Sequence, residues 1–420
     1  MGSYDIMGGI TLAPLIILIA FFFFKGQFYI KDKFVRFCLL ILIITNFLGF
    51  LIKNPSDKLD LFQSVILFSG LILTFIFIQN FKFSMSNIKS LFQVLTFISL
   101  ILFVVALNQK YVFIDSPYLL MGAITGYPSV SSVKIAYDGR FPSLFGDYEL
   151  FSEFSLLMFI LAFSIFMDKN SNKTFDLGNT PFFLMVISFM NILITGTRSG
   201  FILLFAFVFL FFLLRTGTLF SGKTILLLSI LIIMIPLVIN FGDLIGFDVI
   251  TRRMGEIDMN RLSTSSLVTG EQLNRTYVYA EGHKRLAEDS WILGYGYGKS
   301  SANSHAWLGN IGALGIEIRD FHSLYLSLPM IYGWIGGIAY LLLILYVIIK
   351  ILMNYLNFPN NPIGGLALGF SFIFIFFLIN ELKINSLRTY NYHFFIWILI
   401  GISLSVNNYK SPISEVEKRE

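Results

Sequence analysis

Long apolar runs separated by short polar interruptions fill most of this chain. A helix that crosses ~30 Å of hydrocarbon needs roughly 17–25 residues. Runs approaching that length lie near 8–24, 37–52, 61–81, 91–107, 150–167, 181–197, 200–214, 224–241, 323–352, 363–380 and 393–407. The pattern predicts an all-α polytopic membrane protein with about 11 (10–12) transmembrane helices. The ninth run is too long for one straight crossing. Its Gly333 and the Gly336-Gly337 pair predict a break, a short half-helix followed by a full span. The first run is expected to stay in the chain, because no basic residue precedes it and no small-residue cleavage site follows.

Orientation comes from Lys and Arg in the short loops. With the N-terminus outside, the inward segments carry fourteen basic residues and the short outward loops five. Both long loops, 108–149 and 242–322, are then extracytoplasmic. The expected organisation is an N-terminal transmembrane bundle over 1–241, a large extracytoplasmic loop over 242–322, C-terminal transmembrane helices over 323–407 and a cytoplasmic tail over 408–420. The large loop has eight basic and ten acidic residues together with Trp291, Trp307 and many Tyr and Gly. A bare linker would be poorer in aromatics, so a folded cap over an outward-facing cavity is expected.

Composition excludes much else. The 420 residues are 56% apolar, 17% aromatic and only 13% charged, against about a quarter charged in ordinary soluble domains. With a mean hydropathy of +0.77, a soluble enzyme, a disordered scaffold and a nucleic-acid reader are ruled out. Cys38 is the single cysteine, which leaves no intrachain disulfide and no Cys-rich metal site.

Four polar stretches interrupt the pattern where a membrane makes them costly. Thr195-Gly196-Thr197-Arg198-Ser199-Gly200 joins two spans tightly enough to hold Arg198 at the outer interface. An Arg at that depth costs at least ~2.5 kcal/mol unless it snorkels or meets an anion; an interfacial anchor is the plainer reading. Gly139-Arg140-Phe141-Pro142 leads through Asp147 and Glu149 to Glu153 at the start of a span. Arg140 there could hold a phosphate, and Asp147 with Glu149 a cation, while acids that complement a helix dipole would explain the same pattern. Asn274-Arg275-Thr276-Tyr277 runs on to Gly294-Tyr295-Gly296-Tyr297-Gly298. Its glycines suit turning or close approach to a ligand, and a solvated loop residue is the plainer reading of Arg275 taken alone. Asp320-Phe321-His322-Ser323-Leu324-Tyr325-Leu326 closes the set. Beside helix amides an imidazole tends to stay neutral, as a general base must near pH 7, although a capping His would sit there too. No second His or Cys completes a zinc site.

The charge-derived topology puts all four stretches on one face. Arginines beside a neutral base at the mouth of a membrane cavity fit a substrate with a phosphate and a lipid tail, since Arg holds phosphate oxygens bidentately. Sugar transfer from a lipid diphosphate on the outer side of the membrane needs these parts. A flippase is the rival, but such carriers are usually built from internal repeats with short loops and midplane sites, and this chain has no visible repeat.

Over roughly 139–350 these stretches resemble the O-antigen polymerase/O-antigen ligase superfamily of bacterial envelope glycosyltransferases. Gly139-Arg140-Phe141-Pro142 resembles a shortened form of the Arg-x-x-Gly-x-Phe-x-x-Pro stretch that enters a mid-chain span. The 195–200 junction is similar to the family's Ser-Arg-Ser/Thr-Arg-Ser. Arg275 with the Gly-Tyr-Gly-Tyr-Gly run is similar to the Arg and Gly-x-Gly elements of its periplasmic loop. His322-Ser323-Leu324-Tyr325-Leu326, with Gly333 eleven residues on, resembles His-Asn-x-Tyr-Leu…Gly, with Ser323 in place of Asn. His305, in Ser304-His305-Ala306-Trp307, is the weaker match to that His. The resemblance implies a GT-C-like fold and an inverting, metal-independent transferase without a cofactor in the bacterial inner membrane, its site facing the periplasm. Arg198 and Arg275, assisted by Arg140, would bind the undecaprenyl diphosphate of a lipid-linked oligosaccharide, and His322 would activate the acceptor hydroxyl, with Tyr325 beside it. A polymerase is expected, with a chain-length regulator as a possible partner; a ligase that transfers to lipid A-core is the alternative. A protein O-oligosaccharyltransferase, usually with an added C-terminal domain, is the less expected third member of the class, given the short segment after 407.

Overall fold

The computed structural model describes residues 30, 32–53, 58–81, 83–111, 140–145, 147–216, 268–269, 272–273, 292–294, 296–297, 310–311, 316–317, 323–357, 363–388 and 390–407. These residues are overwhelmingly helical. The helices are α1 (Lys33–Lys53), α2 (Lys58–Asn80), α3 (Met85–Tyr111), α4 (Tyr148–Met167), α5 (Lys169–Thr174), α6 (Thr180–Ile194), α7 (Arg198–Thr216), α8 (Leu324–Asn357), α9 (Gly364–Asn380) and α10 (Tyr390–Asn407). Single 3-10 turns stand at Ser143–Phe145 and Ser386–Arg388. Within the large loop, two antiparallel ladders of two residues per strand pair Val268–Thr269 with Gln272–Leu273 and Asn310–Ile311 with Ile316–Glu317; apart from these, 292–294 and 296–297, the expected cap lies outside the described residues.

By length and composition, three helices in the described residues can cross a membrane: Met85–Tyr111, Tyr148–Met167 and Leu324–Leu356. Shorter apolar helices occupy Ile66–Asn80, Thr180–Ile194, Arg198–Leu214, Gly364–Asn380 and Tyr392–Val406. The expected spans at 8–24 and 224–241 lie outside the described residues.

The chain divides into two compact units, each assembled from separate stretches. In one, α4 is the central post, with 89% of its apolar window buried against 28% for α3. It packs on α6 and α9. Phe163, Phe207, Phe211 and Phe372 fill the interior, with Phe163 edge-on to Phe207 at 5.5 Å and Phe207 edge-on to Phe372 at 5.2 Å. Lipid tails are as apolar as these rings, so close packing and interhelical hydrogen bonds hold such a bundle together. Asn191 Nδ2 on α6 donates to the Ser99 carbonyl of α3 at 3.1 Å. At the far end of α4, Asp168 Oδ2 accepts from Gly365 N at 2.7 Å and Ser171 Oγ at 2.6 Å, which ties the start of α9 to the turn after α4.

The other unit pairs α8 with α1 and α10 with α2. The break expected in the long ninth run is present: Gly333 sits at φ 72°, ψ 172° inside α8. Only glycine takes that region without strain, and Pro329 one turn earlier already lacks an N–H for the helical ladder. At the opposite end, Asp32 caps α1 by accepting from Phe34 N at 2.9 Å and Val35 N at 3.2 Å. The same carboxylate accepts from Lys350 Nζ at 2.7 Å and Tyr346 O–H at 2.5 Å, both on α8. Burial alone would raise the Asp32 pKa, but the bonds from Lys350 and Tyr346 outweigh it and hold the carboxyl below its ordinary value.

A depressed folded-state pKa stabilises above the unfolded value of about 3.9 and loses that contribution as pH falls through the folded value. Protein in detergent should therefore show a melting temperature that drops below about pH 4. Asp32→Asn should flatten this acid limb and cost ~1–2 kcal/mol at neutral pH. An unchanged acid limb in Asp32→Asn would show that other carboxylates control it.

Candidate functional site

In the unit centred on α4, two of the four polar stretches meet. The turn before α4 is fixed first. Ser143 has φ 52°, a left-handed value that a non-glycine residue rarely adopts. Gln109 on α3 holds it there, accepting from Ser143 N at 2.9 Å and donating to the Ser143 carbonyl at 3.1 Å. Ser143 Oγ adds a bond to the Leu102 carbonyl at 2.6 Å. Three bonds over-determine the strained residue, as is common where a site needs one geometry. Just before it, Arg140 is only 7% exposed. Its guanidinium carbon lies 4.2 Å from the centre of the Tyr148 ring, a cation–π contact.

Asp147 is the N-cap of α4, its Oδ1 accepting from Glu149 N at 2.8 Å and Leu150 N at 3.2 Å. Asp147 thus caps the start of α4, next to the helix N-terminus whose dipole an acid complements. Glu149 and Glu153 follow one turn apart on α4, both buried. Glu153 Oε2 accepts a hydrogen bond from Asn380 Nδ2 at the last residue of α9.

The 195–200 junction docks onto this helix end. Thr195 Oγ1 donates to the Ile192 carbonyl at 2.7 Å and lies 3.2 Å from Thr197 Oγ1. Thr197 Oγ1 is in turn hydrogen-bonded to Ser152 Oγ on α4. This buried row of hydroxyls registers the start of α7 against the Glu149–Glu153 turn. Arg198, half-buried, is the first residue of α7, the helix end at which the backbone dipole carries partial positive charge. A guanidinium and a helix N-terminus at one point favour an anion.

The other unit contains the start of α8. Leu324 N donates to the carbonyls of Glu381 at 3.0 Å and Ile384 at 3.1 Å, so the return from α9 clasps this helix end. The Glu381 side chain is fully buried, and its Oε2 accepts from Ser386 N and Ser386 Oγ, each at 3.0 Å. Ser323 is buried and Tyr325 half-buried in the first turn. Arg275, His305 and His322 lie outside the described residues.

Residues 183–341 match the family model described as O-antigen ligase. This match places residues 183–341 in the O-antigen ligase/polymerase superfamily. No curated protein matches it. Ligases and polymerases of this superfamily are glycosyltransferase-type enzymes, and the apolar helices agree with an integral membrane protein. The match takes in Arg198, Arg275, His305, His322, Tyr325 and Gly333. It starts after Arg140, Asp147, Glu149 and Glu153, so the segment it covers is narrower than the resemblance read over 139–350.

The reading of polar stretches missed Gln109, Asn380 and Glu381. Gln109 gives no local signal, because its partner Ser143 is distant in sequence. Asn380-Glu381 does give one: two polar residues end an apolar run, and such residues in a span point to function.

The cap assignment for Asp147 has a direct check. Asp147→Asn keeps an Oδ1 acceptor for the two amides, so stability and turnover should remain within about twofold, while Asp147→Ala should lose ~1 kcal/mol. Turnover lost in Asp147→Asn and restored by added Mn²⁺ would make Asp147 a metal ligand instead.

Proposed function

We propose that this protein is a polysaccharide polymerase that joins undecaprenyl-diphosphate-linked oligosaccharide repeat units at the periplasmic face of the bacterial inner membrane. The observation that carries the reading is the family match over 183–341, which embraces Arg198, Arg275 and His322 in one stretch. Arg198, at an anion-favouring helix start, binds the donor diphosphate together with Arg275, and Arg140 assists from its buried turn. His322 takes the proton of the acceptor hydroxyl as that oxygen attacks the anomeric carbon, and the lipid diphosphate leaves with inversion. Fixed guanidinium groups in a water-poor site stabilise the departing charge, so the reaction needs no metal. About eleven spans in a GT-C-like arrangement and a large periplasmic loop complete the proposed architecture, and a chain-length regulator is a fitting partner.

Ligation to lipid A-core is the second reading, favoured by the description of the matching family. The two differ in acceptor alone. A flippase reading calls for no covalent product.

Liposomes holding this protein, given lipid-linked repeat units, should form polymer and release undecaprenyl diphosphate. Product that forms only with lipid A-core would establish the ligase; movement of donor across the bilayer without new linkage would establish the carrier. His322→Ala should lower turnover about 10²–10⁴-fold with donor binding intact. Arg198→Lys and Arg275→Lys, which keep charge but lose the planar fork, should each remove most activity.

Topology is tested separately by Ser301→Cys in a Cys38→Ser background. Membrane-impermeant maleimide should label it in intact spheroplasts, and labelling only after lysis would place the loop inside the cell.

A further inference from the structure

Gly294, Gly296 and Tyr297 of the large loop have a defined seat. In an unbroken helix the Ile331 carbonyl would accept from Ile335 N–H. At the Gly333 break it accepts instead from Gly296 N at 2.8 Å. One residue on, Tyr297 N donates to Asn46 Oδ1 on α1 at 2.5 Å. The approach is so close that a Cβ on Gly294 would overlap the backbone of Ile331 and Gly333. The Tyr297 ring, 1% exposed, lies nearly parallel to Tyr332 with centroids 6.4 Å apart and 5.2 Å from the His393 imidazole on α10. Trp397 Nε1 donates to His393 Nε2 at 2.9 Å, which orients that ring.

This socket is not an optimised apolar core. Asn46 Nδ2, the Tyr332 hydroxyl and His393 Nδ1 are buried and have no hydrogen-bond partner among the described residues. Buried polar atoms left in that state cost free energy that an apolar replacement would not. Their polarity answers a need other than stability, and a single polar side chain that sets register is the best-attested one.

We propose that the break in α8 is a docking socket for Gly294, Gly296 and Tyr297 and that Asn46 is a positioning residue for the transfer reaction. By accepting the Tyr297 amide, Asn46 sets the register of the large loop, which carries Arg275 and leads into His322, against the helix that follows. The inference rests on the polymerase/ligase reading for its reaction, but the seat itself is independent of it. Asn46 acts through the loop and touches no substrate.

Hydrogen–deuterium exchange and turnover, measured on the full protein in liposomes, test this together. Asn46→Leu keeps the volume and removes the acceptor; exchange in 292–298 should rise at least about tenfold and turnover should fall about tenfold, with the KM for lipid-linked donor within about twofold. Asn46→Asp retains an acceptor oxygen and should return both quantities to within about threefold of wild type. Gly294→Ala unseats the loop from its own side and should show the same signature as Asn46→Leu, so it decides the matter if a change within α1 blocks insertion. Unchanged exchange in both Asn46→Leu and Gly294→Ala would overturn the seat. Raised exchange with normal turnover would overturn the positioning role, as would equal turnover in the Leu and Asp variants. If the wild type makes neither polymer nor ligated product, the functional reading fails while the exchange result still stands or falls alone.

Discussion

Every backbone carbonyl exposed at membrane depth must find a donor inside the protein, because hydrocarbon offers none. The break at Gly333 creates such a carbonyl on Ile331, and the loop amide of Gly296 satisfies it. This exchange makes the break possible. It converts a defect in α8 into a reason for a segment outside the bundle to enter it. The glycines that permit close approach, the Asn46 acceptor and the buried Tyr297 ring are all consequences of that one requirement.

The same economy of polar groups shapes the α4 unit. Gln109 is spent on Ser143, Asn191 on Ser99 and Asp168 on Gly365, each bond spanning distant parts of the chain. Hydrogen bonds between transmembrane helices contribute only ~0.6–2 kcal/mol each, so their main value is geometric. They choose one packing among many that Phe-rich helices would otherwise accept. The row of hydroxyls from Thr195 through Thr197 to Ser152 does this where it matters most, since it sets where α7, and therefore Arg198, begins.

What the amino-acid sequence made legible follows from physics that acts locally. Hydropathy marks the helices, and the run that was too long for one crossing carries its break at the glycine that can take φ 72°. Acids at the start of the 150–167 run read as partners of a helix N-terminus, and Asp147 is the cap there, because that role needs only its own next residues. Asn46, Gln109 and His393 were not legible. What each does depends on tertiary packing: Gln109 bonds Ser143 34 positions away, Asn46 accepts from Tyr297 251 positions away, and His393 lies against the Tyr297 ring. A motif reading also gives the Gly-Tyr-Gly-Tyr-Gly run a ligand-facing role by default; in the structure two of its glycines meet backbone at the α8 break, Gly294 by close approach and Gly296 through its amide.

The acids at the start of α4 show how this unit holds carboxylates in its interior. In a low-dielectric interior an uncompensated charge is expensive. Asp147 accepts from two backbone amides and Glu153 from the Asn380 side-chain amide. Such donors favour the ionised carboxylate. The Asn380 bond also reaches from the end of α9 to α4, so the group that stabilises the acid fixes one helix end against the other.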